Sequence, residues 1–196
     1  MQFEKFEAHF SAHIDRGAKI GDGTKVWHFS HIMPMAKIGK NCIIGQNVYI
    51  ANNVIIGDNV KIQNNVSVYD GVIIEKDAFI GPSVVFTNVI NPRSFIERKN
   101  EYKKTVVGRG SSIGANTTII CGSSIGKYSL IGAGSLVTKD VLDYSLSYGA
   151  PSERKGWVCE CGEKLSKMIK RKWYCKVCDK RYKYDWHKLI FLRGTI

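Results

Sequence analysis

An aliphatic residue recurs at every sixth position along most of this chain. The series runs from Ile14 to Phe86 and again from Val107 to Val137, and eighteen of its nineteen members are Ile or Val. The position four residues further on is nearly always small or β-branched, and glycine often follows the aliphatic residue. A period of six fits neither an amphipathic helix nor an alternating strand. It predicts a solenoid in which each hexapeptide contributes one short strand and one turn.

The repeat also predicts where side chains lie. The aliphatic residue points inward, the residue four further on fills the inside of a corner, and glycine permits a tight turn. With residues 92–106 set aside as an inserted loop, the repeat folds into three columns that begin at Ile14, Ile20 and Val26. In the third column, the turn residue two places after each aliphatic residue is polar in the early coils and small in the later coils. These turn residues are His28, Gln46, Asn64, Pro82, Ala115 and Ala133. This stripe suits a polar substrate followed by a pantetheine arm, although turn positions are often simply polar.

The inserted loop is the one break in the repeat. Residues 92–106 are charged, contain a proline and interrupt an otherwise regular series. Insertions of this kind commonly carry function, although a neutral surface insertion is the alternative.

Longer motifs around the loop resemble one family closely. They are IQNNVSVYDGV at 62–72, GPSVVFTNVINPRS at 81–94, ERKNEY at 97–102, GANTTIICG at 114–122, GAGSLVTKDV at 132–141 and YGAPSERKGW at 148–157. Over roughly residues 9–165 the chain resembles the hexapeptide-repeat sugar-nucleotide 3-N-acetyltransferases that act on UDP-2-acetamido-3-amino-2,3-dideoxy-glucuronate. A sister family that acetylates dTDP-3-amino-3,6-dideoxyhexoses shares much of this pattern and is the alternative.

The resemblance implies a fold, an assembly and a reaction. The fold is all-β, a left-handed parallel β-helix, and the assembly is a homotrimer with active sites between subunits. The reaction moves acetyl from acetyl-CoA to a sugar 3-amino group, in the synthesis of O-antigen sugars of lipopolysaccharide.

The resemblance also implies site residues. Asn88, in the motif FTNV, matches the asparagine that orients the sugar amine in that family, and an amide can hold an amine without taking its proton. His28 shares a column with Asn64 but lies two coils away, so we expect it to bind substrate rather than to act as the base. The other expected sugar-nucleotide contacts are Gln63, Asn64, Tyr69, Arg93, Arg98 and Lys99. For coenzyme A, we expect backbone amides near Ala115 and Ala133, and phosphate contacts from Lys139 and Arg154.

The C-terminal residues differ from the rest in charge and in cysteine content. The net charge is +12, and residues 153–196 contribute thirteen Lys and Arg against five Asp and Glu. Four of the six cysteines also lie there: Cys159, Cys161, Cys175 and Cys178. Paired cysteines on a short hairpin are typical of a zinc ribbon with a closed tetrathiolate site, although Cys-x-Cys departs from the usual two-residue spacing. The alternative is reduced thiols around a small aromatic core.

These features predict two units, an acetyltransferase domain over residues 1–152 and a zinc-ribbon-like extension over 153–196. A different class of function remains open, in which the solenoid is a scaffold and the basic ribbon binds nucleic acid. The motifs of 62–122 favour the enzyme, so we expect no nucleic-acid partner. No apolar run reaches the length of a membrane span, and the start of the chain carries Glu and Lys where a secretory signal would be apolar. We therefore expect a cytoplasmic protein without a membrane partner.

Overall fold

The structure is a computed structural model that describes residues 6–165, 168–169, 172–185 and 188–192. Short strands make up nearly all of its regular structure, together with one 3-10 helix at Lys99–Glu101. In this part of the chain, no helix has the length and apolarity that crossing a bilayer requires.

Short strands, most of them of two or three residues, stack into the three faces of a triangular solenoid. The first face contains His13–Ile14, His31–Ile32, Tyr49–Ile50, Ser67–Val68, Val85–Phe86, Thr118–Ile119 and Leu136–Val137. The second face contains Lys19–Ile20, Lys37–Ile38, Ile55–Ile56, Val72–Ile74 and Thr105–Val107, and single bridges at Ile125 and Val141 continue it. The third face contains Glu7–Ala8, Lys25–Val26, Ile43–Ile44, Lys61–Ile62, Phe79–Ile80, Ser112–Ile113, Leu130–Ile131, Ser145–Tyr148 and Glu153–Trp157.

Strand pairing confirms the three predicted columns. Neighbouring strands in each face are parallel and are separated by one coil of sequence, except for the last pair of the third face, which is antiparallel. Across the inserted loop, Phe86 pairs with Ile119 and Ile74 pairs with Val107, as the register requires. The loop itself is shorter than predicted. Thr105 is already paired with Val72 and is buried, so the excursion ends at residue 104 rather than 106.

The interior is a continuous apolar column. The inward aliphatic residues from Ile20 to Val137 are nearly all fully buried and form one core cluster. Most of the residues four places further on are also buried, which confirms the predicted corner filling. Between Ala36 and Val84 these are small or aliphatic side chains, whereas at the N-terminal end and in the coils after the loop they are hydroxyls, as at Thr24 and Ser111.

The turn glycines have a different role from the one predicted. Glycines directly after an inward residue, such as Gly81, do not adopt a positive φ. The positive φ belongs to the third residue after the inward one, as at Asn65, which follows Ile62 and has a φ of 61°. A Cβ at Gly81 would lie 2.7 Å from the backbone nitrogen of Ala115 in the next coil. Glycine is therefore required there by the close approach of stacked coils, while the left-handed turn is made by Asn, Gly or another residue two places later.

This packing makes a testable prediction for stability. The Gly81→Ala substitution is expected to lower the free energy of unfolding by about 1–3 kcal/mol, because the new methyl group overpacks a rigid backbone contact. Gly156→Ala is the matched control, since its Cβ would meet only the Lys164 side chain, at 3.8 Å. Urea denaturation measures both. Equal midpoints for the two variants would contradict the close-approach explanation.

The last strands close the solenoid and lead into a small second sheet. Ser145–Tyr148 and Glu153–Trp157 form an antiparallel hairpin, and the predicted boundary at 152/153 lies where its second strand begins. An antiparallel sheet of four strands follows: Met168–Ile169, Lys172–Tyr174, Arg181–Asp185 and Lys188–Phe191. Its own core contains Trp157, Leu165, Tyr182 and Leu189 together with two cysteines, and Tyr144 of the solenoid packs against it.

Candidate active site

The inserted loop leaves the solenoid at the edge between the first and second faces. It departs after Val85–Phe86, and its neck is closed by a hydrogen bond of 3.0 Å from the Lys103 backbone N–H to the Asn88 carbonyl. A second bond joins the backbone N–H of Cys121 to the Thr87 hydroxyl at 2.9 Å. These two bonds anchor Asn88 and the preceding Thr87 at the base of the loop.

A shallow cavity of about 320 Å³ lies between this neck and the loop. Four of the predicted site residues line it together: Asn88, Arg93, Arg98 and Lys99. The Asn88 side chain is half-buried, and its amide makes no hydrogen bond to any residue that the structure describes. Both its donor and its acceptor are consequently available to a bound molecule.

The three loop cations predicted to contact the substrate differ in their partners. Arg98 bonds to both carboxylate oxygens of Glu101, at 2.7 and 2.9 Å, and Lys99 pairs with Glu97 at 3.3 Å. Arg93 bonds only to the carbonyl of Pro92 and has no carboxylate partner among the described residues. Of the three predicted contacts, Arg93 is therefore the one without a carboxylate partner, and it can meet an anionic group of a substrate.

Three tyrosines lie at or near the cavity, and only Tyr69 was predicted from the sequence as a substrate contact. The predicted contact Tyr69 lies one coil before Asn88, and its ring centroid is 5.8 Å from that of Tyr49. Burial, with smaller contributions from Asp70, Tyr69 and Tyr102, raises the pKa of Tyr49. Tyr102 also lines the cavity. Tyr49 could have been found from the sequence, because it is an aromatic residue at an outward strand position in a coil before the loop.

The other predicted sugar-nucleotide contacts lie at a different edge of the same chain. Gln63 and Asn64 occupy the edge between the third and first faces, where the Asn64 side chain accepts a 2.9 Å bond from the backbone N–H of Gln46. His28 lies two coils earlier on that edge and stacks on His9 with ring centroids 3.5 Å apart. None of these three lines the cavity beside Asn88.

The predicted coenzyme A contacts follow two edges beyond the loop. Ala115 and Ala133 continue the edge of Asn64, and the Ala115 carbonyl accepts a 2.8 Å bond from the backbone N–H of Gly134. Lys139 continues the edge of Asn88, two coils on, and is exposed. The guanidinium of Arg154 lies 4.4 Å from the centre of the Trp157 ring. Arg154 would therefore have to bind a phosphate while it keeps this cation–π contact or gives it up.

The four tail cysteines come together, although their pairs are thirteen residues apart in sequence. Their sulfur atoms all lie within 4.8 Å of one another, with Cys159 and Cys178 at 3.3 Å and Cys161 and Cys175 at 3.6 Å. Four sulfurs bound tetrahedrally to Zn²⁺ at about 2.3 Å would be separated by roughly 3.8 Å. The cluster therefore has the donors and the spacing of a structural zinc site, despite the short Cys-x-Cys pair.

Backbone N–H groups near the cluster favour a thiolate at one of its four members, Cys175. Burial raises the pKa of the Cys175 thiol, but the backbone N–H groups of Cys178 and Val177, together with the thiols of Cys161 and Cys178, outweigh this effect and bring its pKa to about 7. Burial raises the pKa of the Cys161 and Cys178 thiols. The Tyr182 hydroxyl lies 3.0 Å from the Cys159 sulfur, which ties the cluster to the core of the small sheet. Thiolates with such partners are the form of cysteine that binds metal.

Comparison with known proteins places these features in a family context. The model of bacterial transferase hexapeptides (six repeats) matches residues 17–52, 53–88 and 104–139. The chain is 48% identical over 166 residues to dTDP-3-amino-3,6-dideoxy-alpha-D-galactopyranose 3-N-acetyltransferase of Aneurinibacillus thermoaerophilus, which covers 85% of each protein.

Solved structures share the fold. A hexapeptide-repeat acetyltransferase of Vibrio cholerae O1 biovar eltor, complexed with acetyl coenzyme A, matches with a TM-score of 0.56 and 26% identity over 62% of this chain and 70% of that one. A mutant perosamine N-acetyltransferase of Caulobacter crescentus, in complex with CoA and GDP-perosamine, matches with a TM-score of 0.50 and 21% identity over 77% of this chain and 57% of that one. The second likeness concerns the fold alone.

Proposed function

The chain belongs to the bacterial hexapeptide-repeat transferases, and on that basis we propose that it acetylates the 3-amino group of a dTDP-linked 3-amino-3,6-dideoxyhexose, using acetyl-CoA. The observation that carries this proposal is the 48% identity to a dTDP-3-amino sugar 3-N-acetyltransferase along 85% of both chains. The cavity beside Asn88, with its unengaged amide, supplies a place for the reacting amine.

The proposed substrate replaces the one that the sequence motifs favoured. A UDP-linked glucuronate was the first expectation, and its carboxylate would require a cation at the sugar end of the site. Arg98 and Lys99 already pair with Glu101 and Glu97, so of the three expected loop cations only Arg93 is left to bind an anion. One cation suits a pyrophosphate contact, and a dideoxyhexose has no carboxylate to neutralise.

The proposed mechanism is catalysis by proximity and orientation. The Asn88 amide holds the neutral sugar amine by a hydrogen bond, which aims the nitrogen lone pair at the thioester carbonyl. The C–N bond forms, the C–S bond breaks, and the proton of the amine passes to the departing sulfur of coenzyme A. The amine must be neutral to attack, so an orienting amide suits the reaction without a side-chain base.

A homotrimer would assemble the complete site. Asn88 and Arg93 lie at one edge of the solenoid, whereas Gln63, Asn64 and His28 lie at another, so one chain cannot use both sets on one substrate. In the proposed threefold assembly, the Asn64 edge of one subunit would face the loop of its neighbour. We place the coenzyme A arm in the same groove, along Ala115 and Ala133, with Lys139 and Arg154 towards its phosphates. We also propose that the solenoid winds in the left-handed sense, as is expected for the family.

The ribbon is proposed to hold a structural Zn²⁺ through its four cysteines. The sulfur separations and the backbone N–H groups around Cys175 support this assignment. The ion would cross-link two hairpins, and four protein ligands leave no open position for a substrate. Cytoplasmic location and a role in lipopolysaccharide O-antigen synthesis stay predictions from the sequence.

Substrate competition tests the proposed function directly. The purified protein is incubated with acetyl-CoA and with a dTDP-3-amino-3,6-dideoxyhexose or UDP-2-acetamido-3-amino-2,3-dideoxy-glucuronate, and release of free thiol is followed. We expect kcat/KM to be at least about tenfold higher for the dTDP sugar, which corresponds to roughly 1.4 kcal/mol of transition-state discrimination. A preference for the UDP sugar would overturn the substrate assignment. No thiol release with either sugar, together with tight binding of duplex DNA or RNA, would favour the scaffold alternative.

A further inference from the structure

Two histidines and an aspartate converge on the first face, at the N-terminal coils and away from the ribbon. His13 and His31 occupy the same outward position on adjacent parallel strands, where the pairing register sets them side by side. Asp15 lies in the turn that follows His13. The Nε2 atom of His13 is 2.9 Å from one oxygen of Asp15, and the Nε2 atom of His31 is 3.0 Å from the other.

This arrangement brings three ligand atoms to a common point. The two imidazole nitrogens and the carboxylate oxygen all lie within 4.8 Å of one another. The Asp15 side chain is 23% exposed, while His13 and His31 are 73% and 41% exposed. The carboxylate is therefore set behind two accessible rings that both direct Nε2 towards it. The hydrogen bond from His31 contributes most to holding the pKa of Asp15 below its usual value, so the carboxylate is charged near neutral pH.

We propose that His13, Asp15 and His31 bind a divalent first-row transition ion, such as Zn²⁺, through two imidazole Nε2 atoms and one carboxylate. Two imidazoles and a carboxylate are ligands that suit Zn²⁺, Co²⁺ and Ni²⁺, and they satisfy three coordination positions. The ion would take the place of the protons that now bridge each ring to Asp15. Its remaining positions would be open to water or to an anionic ligand.

A second histidine pair in the same coils shows why geometry matters here. His9 and His28 are as close as the proposed ligands, but their rings stack face to face with centroids 3.5 Å apart and planes at 29°. The Nδ1 atom of His9 also bonds to the Ser11 hydroxyl at 2.8 Å. The described residues place no carboxylate on this pair, so it offers no third ligand. His28 is therefore a matched control for an effect of imidazole alone.

The proposed metal site joins the tyrosines that lead to the loop. The rings of His31 and Tyr49 have centroids 5.9 Å apart in an edge-to-face arrangement, and Tyr49 in turn contacts Tyr69. An ion at His13, Asp15 and His31 would thus lie on the same face as the cavity beside Asn88, but three coils earlier. The proposal stands apart from the acetyl transfer, because its ligands contact none of the residues that line that cavity.

Metal stoichiometry tests this site. Untagged full-length protein is equilibrated with Zn²⁺ at neutral pH, freed of unbound ion by gel filtration, and analysed for zinc per chain. We expect the His31→Ala variant to hold about one zinc per chain less than the wild type, and His28→Ala to hold the same amount as the wild type. Asp15→Asn repeats the test without removing a ring. Because the test compares zinc per chain between variants and wild type, its result does not depend on whether the four tail cysteines also hold zinc.

Spectroscopy with Co²⁺ separates the two kinds of site. Tetrathiolate coordination produces an intense near-ultraviolet charge-transfer band, whereas a His₂Asp site produces only weaker visible bands. We expect His31→Ala to lose only the weaker visible bands of the His₂Asp site and to keep both the charge-transfer band and the visible bands of the tetrathiolate site. Equal zinc content in the wild type, His31→Ala and Asp15→Asn would overturn the proposal, and so would a loss of the same size in His28→Ala.

Discussion

The Asn88→Ala variant is expected to lose about 10²–10³-fold in kcat, the loss that follows removal of one positioned hydrogen-bonding group from an acyl-transfer site. The amide is half-buried at the neck of the loop and has no partner in the described part of the chain, so the substitution breaks no hydrogen bond of its side chain. Its backbone carbonyl still accepts the bond from Lys103. Folding should therefore be preserved while orientation of the amine is lost.

Steady-state kinetics with free-thiol detection measures this effect, and thermal unfolding checks that the fold is intact. Asn52→Ala is the matched control, because Asn52 occupies the same turn position two coils before Asn88 and lies outside the cavity. We expect this control to keep kcat within about threefold of the wild type, since it loses no contact with the amine. Wild-type turnover by Asn88→Ala, combined with an inactive His28→Ala variant, would contradict the orienting role of Asn88.

Removal of the Zn²⁺ that we propose for the four tail cysteines is expected to unfold the ribbon while the solenoid remains folded. Structural zinc sites contribute about 10–16 kcal/mol of apparent binding free energy at neutral pH, and that energy is coupled to folding. The ribbon core has only a few buried side chains apart from its cysteines, among them Trp157, Leu165, Tyr182 and Leu189, which is too little apolar area to fold alone. The solenoid has its own long core and does not depend on the ion.

The test uses a strong chelator on the wild type and, separately, the Cys175→Ser variant. Trp157 is 4% exposed, so unfolding of the ribbon should shift tryptophan emission to the red while the far-ultraviolet signal of the solenoid persists. Cys121→Ser is the control, because Cys121 is also buried but lies in the solenoid, outside the cluster. Unchanged emission after chelation, with no zinc found in the protein, would refute the structural role of the metal.

The periodic part of this fold could be predicted because one constraint repeats. Each coil must bury one aliphatic residue per face, so a period of six in the sequence determines which strands pair, as with Phe86 and Ile119 across the loop. The corner residues followed from the same constraint. The reason for the turn glycines could not be predicted in this way. It depends on how closely one coil approaches the next, and the sequence of a single repeat does not specify that distance.

Candidate site residues were predicted as types and positions, but their partners were not. The motif around Asn88 and the charged loop located the cavity, since a break in a regular solenoid is visible in the sequence. That Arg98 and Lys99 would be neutralised by Glu101 and Glu97, leaving Arg93 free, depends on how the loop backbone folds.

The sequence by itself determined the solenoid register, the place of its interruption and the four cysteines that can meet. Only the tertiary structure decided which edge each residue occupies and which side chains touch. His13, Asp15 and His31 illustrate this division, because they lie up to eighteen residues apart in the chain and are brought together by the stacking of one coil on the next. Periodicity is a local property that sequence can carry, whereas contact between side chains depends on rotamers and on spacing between coils, which only the folded chain defines.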